Sequence, residues 1–97
     1  MKLRLAERAQ RQIARIEQFW FEQRRDAAAL FTDELAATFH TLCTVRYAGT
    51  KWPTPRRPEL RRILMPRSFN HVYFVIEADT IRVLAVWGAK KRRTPKL

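Results

Sequence analysis

The chain has 97 residues, with 20 lysines and arginines against 9 aspartates and glutamates, which gives a formal net charge of +11 at pH 7. That length allows one domain with one modest core, and that charge favours a polyanionic partner, either nucleic acid or an acidic protein. The single cysteine, Cys43, excludes an internal disulfide, the cysteine and histidine spacings exclude a zinc site, and no apolar run is long enough to span a membrane.

The positive charge is concentrated in the second part of the chain. Residues 1–39 contain seven basic and six acidic side chains, whereas residues 40–97 contain thirteen basic and three acidic ones. This asymmetry predicts a mixed, solvated scaffold followed by a cationic surface.

The sequence also turns polar directly after its first residues, which argues against a signal peptide. We therefore expect a cytoplasmic protein that uses no metal and no cofactor.

The first part of the chain predicts one strand and two helices. Residues 2–6 alternate between polar and apolar side chains, as in a short, half-buried strand. Apolar residues at helical spacing then predict a first helix over residues 7–25, with the stripe Ala9, Ile13, Ile16 and Trp20. A second stripe predicts another helix, which ends near Cys43. Because almost no loop separates the two helices, we expect an antiparallel helical hairpin.

Residues 44–59 predict a loop. They contain Gly49 and three prolines, and proline removes a backbone donor and disfavours helix in the residue before it. The loop is also cationic, because Lys51, Arg56 and Arg57 lie within it.

Three strands follow, over residues 61–65, 71–77 and 80–87. The last strand is apolar on nearly both faces, which is typical of a central strand. Strict alternation along it places Ala85 and Trp87 on the same face as Ile81 and Val83.

The elements therefore follow the order β-α-α-β-β-β. This order predicts an α+β fold in which the helical hairpin packs on one face of a small, mainly antiparallel sheet. We expect residues 1–97 to form a single domain. Residues 88–97 form a basic C-terminal tail that we expect to be too polar for a core position.

Three segments of the sequence resemble one family of proteins. The first is the helical stripe from Ala9 to Trp20. The second is the pair of consecutive strands that contain residues 62–67 and 71–74. The third is the last strand, at 81–87, which runs into a basic tail. In this order the chain resembles the RelE/ParE superfamily of bacterial toxins, which belong to type II toxin–antitoxin and plasmid stabilisation systems. The resemblance implies a growth-arresting toxin held inactive by an acidic antitoxin that is encoded adjacently. RelE-like members cut messenger RNA on the ribosome, and ParE-like members poison DNA gyrase.

The candidate catalytic residues decide between these two branches. RNA cleavage without a metal needs a base, an acid and cations that stabilise the phosphorane charge. Candidates are Arg62, His71, Lys90 and Lys91. RelE-like nucleases often carry a tyrosine or histidine near the end of the last strand, where this chain has Trp87-Gly88-Ala89. That difference favours a ParE-like protein that binds and inhibits a target such as gyrase and is not itself an enzyme.

Binding residues are predicted from charge and from apolar exposure. The cations expected to contact nucleic acid or a protein target are Arg67, Lys90, Lys91, Arg92, Arg93, Lys51, Arg56 and Arg57. Three successive aromatic residues at 19–21 cannot all face one core, so we expect Phe21 to be exposed and to bind the antitoxin together with Leu97. Two alternatives stay open: a ribosome-dependent mRNA endonuclease, and a non-toxic nucleic-acid-binding domain. Trp52 either stacks on a base or pins its loop.

Overall fold

The computed structural model describes all residues, 1–97. Two α-helices, five β-strands and one turn of 3-10 helix at Arg25–Ala27 make up the fold. The helices are α1 (Glu7–Gln23) and α2 (Ala28–Thr44), and the strands are β1 (Lys2–Leu5), β2 (Thr50–Lys51), β3 (Arg61–Met65), β4 (Asn70–Glu77) and β5 (Thr80–Gly88). The predicted order of elements is confirmed, with β2 as an addition inside the segment expected to be a loop.

The sheet has the strand order β1-β5-β4-β3-β2. The first strand pairs in parallel with the last, and every other pair is antiparallel. The last strand therefore lies between β1 and β4, as its apolar sequence predicts. β1 pairs with β5 only as far as Val83. Beyond Val83, the same edge of β5 lies beside α1, where the Gln12 side-chain oxygen accepts a hydrogen bond from the Val86 amide at 2.8 Å.

The helices cover one face of the sheet, which we call the helix face. Both predicted stripes point into this layer and exclude water from it, which is the main favourable term in folding. The buried residues that form the core are Ala9, Ile13, Phe31, Leu35, Leu42, Met65, Val72, Phe74, Ile81, Val83 and Val86.

The other face, the outer face, carries a smaller second core. Its members are Leu60, Tyr73, Val75, Leu84 and Ala85, with Trp87 and Leu97 packed against them. A five-stranded sheet with apolar side chains on both faces needs a cover on each side. Helices provide one cover, and the C-terminal tail provides the other.

A β-bulge in β5 changes which of its side chains face the helices. Tyr73 is opposite Ala85, whereas the next residue of β4, Phe74, is opposite Val83, so Leu84 is an extra residue in β5. One inserted residue moves every later side chain to the opposite face. The expectation that Ala85 and Trp87 share a face with Val83 is therefore wrong, and both lie on the outer face.

The tail after β5 folds back along the outer face. Pro95 is buried, and Leu97 packs against the second core. The Trp87 indole N–H donates to the Arg93 carbonyl at 2.8 Å, and the Arg8 guanidinium donates to the Lys96 carbonyl. The expectation that the tail is too polar for a core position is wrong, because Pro95 is buried and Leu97 covers the second core, while the cations of the tail remain in solvent. Neither helix is long and apolar enough to cross a membrane.

Candidate functional site

A shallow groove of about 390 Å³ opens at the edge of the sheet, beside the part of β3 that β2 does not cover. The two-residue strand β2 covers only the start of β3, so the edge beyond it is open. The groove is shaped by Gly49, which has φ +76° and whose α-carbon approaches β3 so closely that an added Cβ would lie 2.5 Å from the Arg62 carbonyl oxygen. Its lining residues are Gly49, Thr50, Arg62, Ile63, Leu64 and His71.

Arg62 projects from β3 onto the outer face. Its guanidinium carbon lies 3.5 Å from the centroid of the Trp52 ring, and its Nη1 donates to the Tyr73 hydroxyl at 3.2 Å. Stacking on one ring and bonding to another fixes the guanidinium plane, which suits it to an anionic ligand. Trp52 therefore holds Arg62 in place, and 37% of Trp52 remains exposed.

His71 lies on β4 beside this cation. It is opposite Leu64 on β3 and Trp87 on β5, and its ring meets Tyr73 edge-on at 6.0 Å between centroids. Burial, and secondly the positive charge of Arg62, lower the pKa of His71 below its ordinary value of 6.5. The imidazole is therefore neutral at pH 7 and is able to accept a proton.

The two lysines of the predicted catalytic set lie at different places. The Lys91 ammonium is 4.4 Å from the centroid of the Trp87 ring, which brings it to the outer face beside His71. The Lys90 ammonium is 4.5 Å from the Phe69 ring, at the turn between β3 and β4. The structure therefore brings Arg62, His71 and Lys91 onto one face and places Lys90 at the end of the sheet.

The turn between β3 and β4 is held by a carboxylate that the sequence analysis missed. Glu34 of α2 is nearly buried, and it accepts hydrogen bonds from the amides of Arg67 and Ser68 at 2.7 and 2.9 Å. The Ser68 hydroxyl donates to the same carboxylate at 2.7 Å. Glu34 could have been identified from the sequence, because it directly precedes Leu35, which belongs to the apolar stripe of the second helix. This contact positions Arg67, whose side chain is exposed.

The eight predicted binding cations fall into two groups. Lys51, Arg56 and Arg57 lie in and after β2, at one edge of the sheet, with β3 and β4 between them and β5. The half-buried Arg57 also forms an ion pair with the exposed Glu59 at 3.9 Å. The second group surrounds the β3–β4 turn and the start of the tail: Arg67, Lys90, Lys91, Arg92 and Arg93.

The two predicted antitoxin contacts lie apart. Phe21 is 60% exposed near the end of α1, where the Arg25 guanidinium stacks on its ring at 5.4 Å. Leu97 packs on the opposite face of the sheet. Phe21 and Leu97 do not form one binding surface, because the sheet lies between them.

The chemistry of the outer face is that of an anion site with aromatic walls. It combines a fixed guanidinium, a neutral imidazole, a phenol and an ammonium, namely Arg62, His71, Tyr73 and Lys91. Cationic and aromatic groups together bind phosphate esters or carboxylates. No cluster of three or more histidine, cysteine, aspartate or glutamate side chains is placed to hold a metal ion.

Comparison with known proteins establishes the fold. No protein-family model matches the sequence, and no curated protein matches it. Among solved structures, the chain is similar to one from the chromosomal ParDE TA (toxin–antitoxin) system of P. aeruginosa, with a TM-score of 0.76 and 16% sequence identity. The likeness covers 93% of this chain and 97% of that chain. The protein therefore shares the α+β fold of that ParDE-system chain, and the resemblance found in the sequence is confirmed at the level of the fold.

Proposed function

We propose that this protein is the toxin of a type II toxin–antitoxin pair and that it arrests growth by binding and inhibiting a target such as DNA gyrase. The likeness of nearly the whole chain to a component of a ParDE system supports this proposal. We place it in the cytoplasm, paired with an acidic antitoxin encoded adjacently.

The end of β5 is the observation that favours binding over catalysis. At the position where RelE-like nucleases often carry an acid or base, this chain has Trp87, whose indole N–H is bonded to the Arg93 carbonyl. A tryptophan has no group that exchanges a proton near neutral pH. The cations beyond it, Arg92 and Arg93, are exposed and free to meet an acidic surface.

Induced expression with and without the neighbouring reading frame tests the class of protein. A toxin stops growth alone and is neutralised by its antitoxin. Purified protein should then inhibit supercoiling by gyrase and trap cleaved DNA, and a variant with Arg92 and Arg93 changed to glutamine should need a higher concentration. Normal supercoiling at saturating protein would rule out gyrase as the target. A harmless protein that retards nucleic acid on a gel would instead indicate a plain nucleic-acid-binding domain.

The outer-face groove favours a second candidate function, a ribosome-dependent mRNA endonuclease. Arg62 and His71 line the same groove, and the imidazole is neutral at pH 7, as a general base requires. In this mechanism His71 takes the 2′-hydroxyl proton, the 2′-oxygen forms a bond to phosphorus while the bond from phosphorus to the 5′-oxygen breaks, and the leaving 5′-oxygen takes a proton from water. Arg62 and Lys91 stabilise the negative charge on the phosphorane oxygens.

Mapping of transcripts by primer extension after induction distinguishes the two functions. Cuts in phase with codons that disappear in His71→Gln would establish the nuclease. Intact transcripts in arrested cells would exclude it.

A further inference from the structure

The turn between β3 and β4 holds a large aromatic side chain in solvent. Phe69 is 50% exposed, and its φ is +58°, in the left-handed region that side chains with a Cβ rarely adopt. The backbone is fixed in this conformation on both sides, because the Phe69 amide donates to the Met65 carbonyl at 2.9 Å and its carbonyl accepts from the Ala89 amide at 2.8 Å. Glycine or asparagine would fit this backbone with less strain.

The stability of the isolated chain does not explain a phenylalanine at this position. Half of the residue stays in water, so the burial of its other half, at about 25 cal/mol per Å², is of the same order as the backbone strain of about 1–2 kcal/mol, and the phenylalanine adds little net stability. Tyr47 has the same φ and is 62% exposed, but its ring lies between the guanidinium groups of Arg46 and Arg61, and its carbonyl accepts from Arg61 at 2.8 Å. Phe69 has one cation, Lys90, near its ring. Residues whose strained backbone does not contribute to the stability of the fold are concentrated at functional sites.

The surroundings of Phe69 specify the charge of a partner. Arg67 is exposed in the same turn, Lys90 lies at 4.5 Å from the ring, and Arg92 and Arg93 follow in the tail. The carboxylate that touches this turn, Glu34, is nearly buried and its oxygens already accept three hydrogen bonds. The exposed charge around the ring is therefore positive. An aromatic anchor with a cationic border fits an acidic polypeptide that carries an apolar side chain among its carboxylates.

We propose that Phe69, with the exposed cations Arg67 and Lys90 beside it, is a docking surface for an acidic protein segment, whose apolar side chain packs on the Phe69 ring. This surface lies at the end of the sheet, on the β3–β4 turn that follows Leu64 and precedes His71, and so it adjoins the groove that contains Arg62 and His71. The inference does not depend on gyrase inhibition or on RNA cleavage, because it concerns a binding partner that either kind of protein could have.

Three labelled probes test this surface on the full chain. The first is a short peptide of glutamates around a central leucine, the second replaces that leucine with serine, and the third is a single-stranded oligonucleotide of equal charge. We expect the leucine peptide to bind most tightly by fluorescence anisotropy at low salt. We expect Phe69→Gly to weaken its binding about tenfold, since buried aromatic anchors dominate such interfaces.

The variants separate binding from folding. Phe69→Gly and Phe69→Asn should keep or raise the melting temperature, because they relieve the backbone strain while removing the ring. Phe19→Ala, which removes another aromatic ring of similar exposure (55%) from α1, should leave binding unchanged. The proposal is overturned if Phe69→Gly binds the peptide as tightly as the wild type, if the serine peptide binds equally well, or if both Phe69 variants lower the melting temperature. Tighter, Phe69-dependent binding of the oligonucleotide would mean that the surface stacks on bases and would overturn the peptide proposal.

Discussion

Arg62 connects three separate side chains of the outer face. It stacks on Trp52, donates to the Tyr73 hydroxyl and places its positive charge near His71. The sequence identified Arg62 and His71 as candidates from their residue types. The role of Tyr73 could not be predicted, because it depends on the register that sets Tyr73 opposite Arg62. Such pairings between neighbouring strands are set by register rather than by local sequence.

The pKa of His71 provides the first prediction. Burial and Arg62 lower it below 6.5, so between 6.5 and the lowered value the unfolded chain binds a proton that the folded chain does not. Stability therefore rises with pH across this interval and is lost as the pH falls through it. An NMR titration should show His71 titrating below 6.5, and Arg62→Gln should move its pKa upward. A pKa above 6.5 would contradict the geometry of the groove.

Unfolding by urea should show the same effect on stability. We expect His71→Gln to weaken the loss of stability that occurs as the pH falls below 6.5. A matched variant, Lys51→Gln, removes a positive charge from the edge strand β2, which β3 separates from the strand of His71, and should leave this part of the pH dependence unchanged.

Gly49 provides a second prediction at the scale of one residue. Its positive φ and the 2.5 Å approach of an added Cβ to the Arg62 carbonyl leave no room for alanine. We expect Gly49→Ala to destabilise the protein by about 2–3 kcal/mol. The control is Gly88→Ala, whose added Cβ would meet only the Lys91 side chain at 3.4 Å. Chemical denaturation of both variants measures the difference, and equal stability would show that the edge of β3 rearranges freely.

Among the elements, the β3–β4 turn depends most on a single contact. The Glu34 carboxylate satisfies two backbone amides of this turn from the neighbouring helix. Buried donors left without a partner cost more than an average hydrogen bond contributes.

We therefore expect Glu34→Ala to lower the free energy of unfolding by about 2–4 kcal/mol, whereas Asp33→Ala, at an exposed position on the same helix, should change it little. Equilibrium unfolding of the two variants provides the comparison. If Glu34→Ala is as stable as the wild type, water or another side chain replaces the carboxylate.

The tail provides an element-scale prediction through Leu97. Its side chain is partly buried on the second core, so Leu97→Ala should cost about 1 kcal/mol. The loss of this cover should also expose Trp87 and shift its fluorescence to longer wavelength. Lys96→Ala is the control, because the Lys96 side chain is in solvent and its carbonyl can still accept from Arg8. An unchanged melting temperature in Leu97→Ala would mean that the tail is not part of the folded unit.

The sequence predicts elements better than it predicts faces. The bounds of β3 agree with the prediction at both ends, and β4 and β5 differ by one residue each. Helical and strand periodicity reflect local structure, so these elements can be predicted from the sequence. The bulge at Leu84 cannot be predicted in this way, because it is a property of the pairing with β4. It places Ala85 and Trp87 on the face opposite to the predicted one. The short strand β2 and the docked tail likewise depend on contacts distant in sequence.

At the scale of the whole molecule, the eight predicted binding cations lie in two separate regions. Cations lie along the edge that carries β2 and around the end of the sheet that carries the β3–β4 turn and the tail. The sequence predicted a cationic second half, and it could not show that the folded chain places one group of cations beside the start of β3 and the other at its far end. A large acidic partner that spans the outer face would reach both regions, and a small one would reach one of them.

The parallel pairing of β1 with β5 has a consequence for how the chain is made. The N-terminal strand has no partner until residues 80–83 have been synthesised and have left the ribosomal exit tunnel. Nascent chains arrested before residue 80 should therefore remain sensitive to protease, while the released chain resists it. A cell that makes this protein would hold an inert polypeptide through most of its translation, because the sheet is completed only when the last strand enters between β1 and β4.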